Sequence, residues 1–218
     1  MIKQNLKKLL HAYLLKGLRE AQNSQLEDQL LKKGKKKARE IIKQKQPILL
    51  EIGSGSKKGT NGWTTLDVCS DCYIYWDLLL PLPFPDNSVT KIYSSHVLEH
   101  FFCPDLMKLL NECHRILEPK GVFSVCVPNA NMYIKGYLSA EEFKPKEIYK
   151  PAYFSNSKID HVNYIAYMDG HHRYMFDEQN LLAVLEKANF KEVRHRNFET
   201  GLDREERDWE SIYAEGKK

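Results

Sequence analysis

The sequence predicts an α/β fold built on a mostly parallel sheet of about seven strands. Two short apolar runs, 48–52 and 122–127, show no polar alternation, which is typical of parallel strands buried on both faces. An amphipathic segment over residues 104–117 lies between them, with apolar side chains at helical spacing. Because strands alternate with helices along the chain, we expect a parallel sheet flanked by helices.

The remaining elements follow from the same patterns. Further strands are predicted over 64–68, 73–77, 89–94, 192–195 and 212–214, and a helix is predicted after Asp177. Only about eleven residues join Ile52 to Thr64, which is close to the minimum for a parallel crossover. The crossovers between strands 1 and 2 and between strands 2 and 3 are therefore expected to be shortened, leaving one face of the sheet to be covered by another part of the chain.

The first 46 residues differ in composition from the rest of the chain. They carry 13 Lys or Arg against 4 Asp or Glu, whereas the formal net charge of the whole chain is +4. Leucines at spacings of three and four predict basic amphipathic helices in residues 1–46, interrupted at Gly34, before a domain over residues 47–218. These helices either pack on the sheet with a solvated lysine face or bind an acidic partner.

The bulk features indicate a cytoplasmic protein. No apolar run approaches about 20 residues, so no transmembrane segment is predicted. No small-residue cleavage site follows the lysine-bearing N-terminus, which argues against a secretory signal. The five cysteines are odd in number and scattered, as expected for reduced thiols.

A glycine turn follows the first strand and is the clearest candidate for a ligand site. Gly53 and Gly55, which flank Ser54, allow a sharp turn and leave bare N–H groups for a ligand. Gly59 comes one position too late for a dinucleotide fingerprint. Asp67 ends the second strand, where a carboxylate can accept hydrogen bonds from a ribose diol, and Asp77 ends the third, where it can face an adenine amino group.

Several segments in chain order carry a family resemblance. They are Leu50-Glu51-Ile52-Gly53-Ser54-Gly55, Asp67, Pro81–Ser88, His96–His100, Arg115–Val122 and His172–Phe176. Together they resemble class I S-adenosylmethionine-dependent methyltransferases of the type 11 group, over roughly residues 47–217. The resemblance implies a Rossmann-like sheet of seven strands with the last antiparallel, and S-adenosylmethionine as cofactor. The expected cofactor-binding residues are Glu51, Gly53, Ser54, Gly55, Asp67, Asp77, Leu78 and Ser95.

Methyl transfer from a sulfonium is an in-line displacement, so the protein mainly positions the acceptor. A hydroxyl acceptor also needs a base, for which His96, directly after the fourth strand, and His172 are the candidates. His100 has an equally good interpretation as a packing residue. No metal site is predicted, because Cys69-x-x-Cys72 has no second pair and Glu99 is misplaced for an H-E-x-x-H motif.

The acceptor is predicted to be a small molecule or saccharide. Residues 128–172 are interpreted as a lid or substrate insertion whose aromatic side chains can stack on the acceptor: Tyr133, Tyr137, Tyr149, Tyr153 and Phe154. A DNA base is disfavoured, because residues 94–97 lack the Asn/Asp-Pro-Pro-aromatic tetrad of amino-methylating enzymes. Two alternatives stay open: a nicotinamide-dependent oxidoreductase, and a non-catalytic Rossmann-like protein that binds nucleic acid or a membrane surface.

Overall fold

A computed structural model describes residues 24–59, 62–69, 71–140, 143, 154–155 and 157–218. Seven strands form one sheet in the order β3-β2-β1-β4-β5-β7-β6. They are β1 (Leu49–Ile52), β2 (Trp63–Asp67), β3 (Ile74–Tyr75), β4 (Val89–Ser95), β5 (Leu117–Pro128), β6 (Lys191–His195) and β7 (Ser211–Lys217). All pairings are parallel except those of β7, which is antiparallel to both neighbours. The predicted α/β fold with a mostly parallel sheet is confirmed.

Five α-helices accompany the sheet in the described part of the chain. They are α1 (24–43), α2 (Cys103–Ile116), α3 (Ala130–Leu138), α4 (Ile159–Tyr167) and α5 (Glu178–Lys187). The side chain of Asp177 caps α5 by accepting a hydrogen bond from Asn180 N at 2.7 Å, as helix N-caps commonly do. None of the described helices has both the length and the apolar character needed to cross a bilayer.

Helix α1 packs against the edge of the sheet that β3 forms. The predicted interruption at Gly34 is wrong, because the helix is continuous through it. A Cβ at Gly34 would lie 2.4 Å from Tyr75 O, so glycine is needed for the helix to approach β3 this closely. Lys37 Nζ donates to Tyr73 O at 2.6 Å. Ala38 is buried, and three further side chains pack on the main core: Leu31, Ile41 and Ile42. The predicted helix in residues 1–23 lies outside the described residues.

The links between β1, β2 and β3 are short. Among their described residues, 53–59 and 62 in the first and 68–69 and 71–73 in the second, none is helical. Helix α1 contacts the residues at β3 and packs on the main core beside these short links.

The described parts of residues 128–172 contain the helices α3 and α4. The two helices pack around a second apolar cluster: Ala130, Tyr133, Tyr164 and Ile165. Tyr133 is fully buried and donates to Glu210 Oε2 at 2.5 Å. Its ring is therefore not exposed for the stacking on an acceptor that the sequence had suggested. Tyr137 and Phe154 are exposed, whereas Tyr149 and Tyr153 lie outside the described residues.

Candidate functional site

The glycine turn lies at the carboxyl end of β1, where ligands of parallel sheets commonly bind. Gly53 and Gly55 have φ values of +65° and +63°, in the left-handed region that favours glycine. A Cβ at Gly53 would lie 2.2 Å from Val97 Cγ2, so the turn packs tightly on the loop after β4. Nothing lies within 4 Å of a Cβ placed on Gly55, whose surface is open.

Asp67 fastens this turn at the end of β2. Its Oδ2 accepts from Gly55 N at 2.9 Å and its Oδ1 accepts from Cys69 N at 2.9 Å. Because each carboxylate oxygen has two lone pairs, both oxygens can still accept a hydrogen bond from a ligand hydroxyl. Asp77 also holds a turn, with Oδ1 accepting from Leu79 N at 2.9 Å.

Two cavities, each of about 280 Å³, meet at the turn and share Gly53, Gly55 and His96. Together they are lined by all eight residues predicted to bind the cofactor: Glu51, Gly53, Ser54, Gly55, Asp67, Asp77, Leu78 and Ser95. Gly59 lies elsewhere, in a different surface depression beside Trp63. The turn therefore presents two glycines, without a third, to the candidate cofactor cleft.

Lys57 and Glu51 form an ion pair inside the second of these cavities, with Nζ 2.6 Å from Oε1. The Glu51 side chain is 11% exposed, so its charge is compensated by the lysine rather than by water. Lys57 was not among the site residues predicted from the sequence.

A third cavity, of about 460 Å³, lies on the other side of His96. Both predicted catalytic residues, His96 and His172, line it, as do Glu99 and His100. Among the described residues, only His96 borders all three cavities.

The ring of His96 is fixed by its neighbours. His96 Nε2 lies 2.8 Å from Ser211 Oγ, and that hydroxyl itself donates to Arg207 O at 2.7 Å. His96 Nε2–H is therefore the donor, which leaves Nδ1 with the lone pair, 3.8 Å from Glu99 Oε1. Burial, followed by the charge of Arg207, lowers the pKa of His96 to about 3. The ring is thus neutral at pH 7 and a weak proton acceptor.

His172 and His100 are held in the opposite tautomer. His172 Nδ1 lies 2.9 Å from Ile165 O, and His100 Nδ1 lies 3.0 Å from His171 O. A carbonyl oxygen only accepts, so each Nδ1 carries the hydrogen and each Nε2 keeps a lone pair. Burial lowers the pKa of His172, which keeps this ring neutral as well.

Glu99 is buried between these rings, at 2% exposure. Its Oε2 has no hydrogen-bond partner among the described residues. Burial raises the pKa of Glu99 to about 8. In the sequence, Glu99 stands out only as misplaced for an H-E-x-x-H motif, so its position in the cavity wall was not predicted.

Arg204 and Arg207 were also missed, although both line the 460 Å³ cavity and the Lys57 cavity. They belong to the link between β6 and β7, at the start of a 3₁₀ helix over Glu205–Glu210. Arg204 is the extended residue just before this helix and Arg207 lies in its first turn, and both border the same two cavities. The signal that could have identified them is the charge-dense run 203–208, which joins two strands at the carboxyl edge of the sheet.

Cys72, the second cysteine of Cys69-x-x-Cys72, has the surroundings of a structural residue. Cys72 is buried, with Sγ 2.9 Å from Ile74 O and 3.2 Å from Asp67 O. Burial raises the pKa of its thiol. All five cysteines are free thiols.

Residues 74–125 match a family model described as a methyltransferase domain, which confirms the resemblance seen in the sequence. A protein of Mycolicibacterium smegmatis, described as a probable S-adenosylmethionine-dependent methyltransferase, is 40% identical over 58 residues. That match covers 27% of this chain and only 22% of the relative.

Similar solved structures include two methyltransferases. A S-adenosylmethionine-dependent methyltransferase from Archaeoglobus fulgidus has a TM-score of 0.49 and 16% identity, over 84% of this chain and 92% of that chain. Phosphoethanolamine N-methyltransferase 2 from Haemonchus contortus, in complex with S-adenosylmethionine, has a TM-score of 0.49 and 11% identity, over 79% of this chain and 48% of that chain.

Proposed function

Because residues 74–125 match a methyltransferase domain family, we propose that this chain transfers a methyl group from S-adenosylmethionine to a small-molecule or saccharide-type acceptor. The cofactor occupies the two cavities at the glycine turn, and the acceptor occupies the 460 Å³ cavity.

The observation that carries the proposal is the position of His96 between these cavities. A methyl transfer needs the acceptor atom about 3–3.5 Å from the methyl carbon, so the two ligands must meet at one point. His96 borders both spaces, and the methyl group would cross beside its ring.

The polar groups of the cleft suit the parts of the cofactor. Gly53 and Gly55 leave the backbone open to a ligand, and Asp67 retains a lone pair on each oxygen for the ribose hydroxyls. Asp77 and Leu78 border the same cavity and would lie against the adenine. Glu51 would receive the methionine amino group next to, or in place of, Lys57.

The acceptor cavity has the size and polarity expected for a small molecule. Its volume of about 460 Å³ lies within the usual range of small-molecule sites. Arg207 is half-buried in its wall, and its guanidinium makes no hydrogen bond or ion pair with a described residue. A guanidinium offers five N–H donors, which suits an acceptor rich in oxygen atoms. Trp209 adds an aromatic surface to the same wall.

Formation of S-adenosylhomocysteine in the presence of candidate acceptors tests this proposal. The purified protein is incubated with methyl-labelled S-adenosylmethionine and a panel of saccharides and phenols. We expect label to pass to at least one acceptor, at a rate that falls at least about tenfold in Arg207→Ala, because the variant loses a group that binds acceptor oxygens. Lys108→Ala, on the exposed surface of α2, is the matched control and should keep the wild-type rate. Equal rates in the protein and in a protein-free blank would contradict the proposal.

A further inference from the structure

Three side chains on the wall of the 460 Å³ cavity form a cluster with metal-ligand chemistry. Glu99, His100 and His172 each contribute one oxygen or nitrogen atom, and the three atoms lie within 4.8 Å of one another. We propose that these residues bind one divalent transition-metal ion, of the Zn²⁺ type.

Both histidines are already oriented as metal ligands usually are. Their Nδ1–H groups donate to the carbonyls of Ile165 and His171, which leaves Nε2 of each ring available. A metal-bound histidine ordinarily donates its other ring N–H to a carbonyl or carboxylate in this way, because that contact fixes the tautomer and the ring direction.

Glu99 supplies the second, independent observation. Its side chain is only 3% exposed, and its Oε2 has no hydrogen-bond partner among the described residues. A buried carboxylate oxygen is normally hydrogen-bonded, ion-paired or bound to a metal, because leaving it unpaired is costly. Two ring nitrogens lie near the other oxygen of Glu99, Oε1: His100 Nε2 at 3.9 Å and His96 Nδ1 at 3.8 Å.

The ligand set indicates the class of metal. Two imidazoles and one carboxylate suit zinc and its neighbours, whereas Mg²⁺ and Ca²⁺ prefer oxygen ligands throughout. Ligands on a tetrahedral ion at about 2.1 Å lie about 3.4 Å apart, so each side chain would move by less than about 1 Å to close on the ion. Three protein ligands leave a fourth position, which here opens into the cavity.

The metal would take part in the reaction that we propose for the chain, and this step rests on that proposed function. A hydroxyl of the acceptor would occupy the fourth position, where the ion lowers its pKa and its proton passes to water. The bound oxygen would then form the O–CH₃ bond while the C–S bond breaks and its electron pair stays on sulfur. His172 would in that case be a ligand instead of the base that the sequence suggested.

Binding of Zn²⁺ and Co²⁺ to the full chain, freed of metal with a chelator, tests the site without any acceptor. Calorimetry should find one equivalent, with an affinity at least about 100-fold lower in Glu99→Gln and in His100→Gln, because each variant loses a ligand. His100 is exposed, so its substitution is expected to leave the fold intact. His195→Ala, on exposed strand β6, is the matched histidine control and should bind as the wild type does.

Three results would overturn the metal site. They are the absence of binding at about 100 µM metal, unchanged affinity in both ligand variants, and a Co²⁺–thiolate charge-transfer band, which would place the ion at Cys69 and Cys72. Titration of the same samples with S-adenosylhomocysteine separates this proposal from the proposed function. Cofactor binding without metal binding overturns the metal site alone, whereas metal binding without cofactor binding overturns the methyltransferase proposal and leaves the metal site standing.

Discussion

Arg196 and Asp203 form a two-pronged ion pair, with Nη1 2.6 Å from Oδ2 and Nη2 2.7 Å from Oδ1. The two side chains are only 9% and 0% exposed. Tyr93 in β4 donates to Asp203 Oδ1 at 2.9 Å, so the pair ties the β6–β7 link to the centre of the sheet. Because Arg204 follows directly in this link and Arg207 three residues later, the ion pair positions both arginines at the cavities.

Asp203→Asn should therefore destabilise the fold. Removing one partner leaves the guanidinium of Arg196 buried without a counter-charge, which costs about 3 kcal/mol in the free energy of unfolding. Urea denaturation at pH 7 measures this cost. Glu215→Gln is the matched control, because its partner Arg194 is 71% exposed and such pairs contribute less than about 1 kcal/mol. Equal losses in the free energy of unfolding in Asp203→Asn and Glu215→Gln would contradict the conclusion that the buried pair stabilises the fold more than the exposed pair does.

The contribution of Asp203 should also depend on pH. Burial favours a raised pKa, but the hydrogen bonds from Arg196 and from Glu199 N–H outweigh it and hold the pKa of Asp203 below its ordinary value. The stabilisation is therefore fully present above the unfolded-state pKa of about 3.9, and it is lost as the pH falls through the lower folded-state pKa. We expect the stability gap between wild type and Asp203→Asn to be constant from about pH 5 to 7 and to shrink below about pH 4. A gap that persists undiminished at about pH 2 would contradict this account.

The two glycines of the turn should respond differently to alanine. Gly53→Ala adds a methyl group 2.2 Å from Val97 Cγ2 at a positive φ, so we expect a loss of about 3 kcal/mol in the free energy of unfolding. Gly55→Ala meets open space and should lose only about 1 kcal/mol from its backbone conformation. Its methyl group would instead enter the proposed cofactor space and lower the affinity for S-adenosylhomocysteine. Thermal unfolding and calorimetry separate the two effects, and similar stabilities would argue against the packing described at Gly53.

Ser211→Ala tests the orientation of His96. The variant removes the acceptor of His96 Nε2–H and should cost about 1 kcal/mol in stability. Because the ring then loses the hydrogen bond that fixes its direction at the junction of the cavities, we expect turnover to fall about tenfold with little change in cofactor affinity. Ser88→Ala, which removes a hydrogen bond to Pro85 O in an exposed loop, provides the comparison. Turnover that is equal in the two variants would show that the ring direction does not matter.

Local sequence patterns predicted the fold and the residues that line the two cavities at the glycine turn. The apolar run of β1, the glycine turn and Asp67 are close in sequence, and parallel strands bring their carboxyl ends to one edge. The short crossovers could be counted directly from residue numbers. These features depend on chain length and residue type rather than on distant contacts.

The rest of the site depends on contacts between distant parts of the chain. Glu99 and His172 come together only when the chain after α4 returns to the loop following β4. The link that carries Arg204 and Arg207 is held in position by the ion pair between Arg196 and Asp203. No local sequence pattern predicts that ion pair. The prediction that Gly34 interrupts the helix was wrong for a related reason. Glycine usually weakens a helix, but here it permits close contact between α1 and β3.

Asp67→Asn should weaken cofactor binding more than it weakens the fold. The amide keeps one acceptor oxygen but loses the charge and one of the two acceptor oxygens now used by Gly55 N and Cys69 N. We expect affinity for S-adenosylhomocysteine to fall about 10- to 100-fold, since hydrogen bonds to a charged group contribute about 1.5–3 kcal/mol. Asp77→Asn, which changes a carboxylate bonded to a single backbone N–H, should have the smaller effect. A larger loss of affinity in Asp77→Asn than in Asp67→Asn would contradict the assignment of the ribose to Asp67.

The binding of S-adenosylhomocysteine to the wild-type chain tests the central claim most directly. Calorimetric titration of the folded protein should give one site with micromolar affinity, raise its melting temperature, and show weaker binding in Gly55→Ala and Asp67→Asn. Absence of binding at about 1 mM ligand, in a protein that unfolds cooperatively, would contradict the proposal that this chain is a methyltransferase.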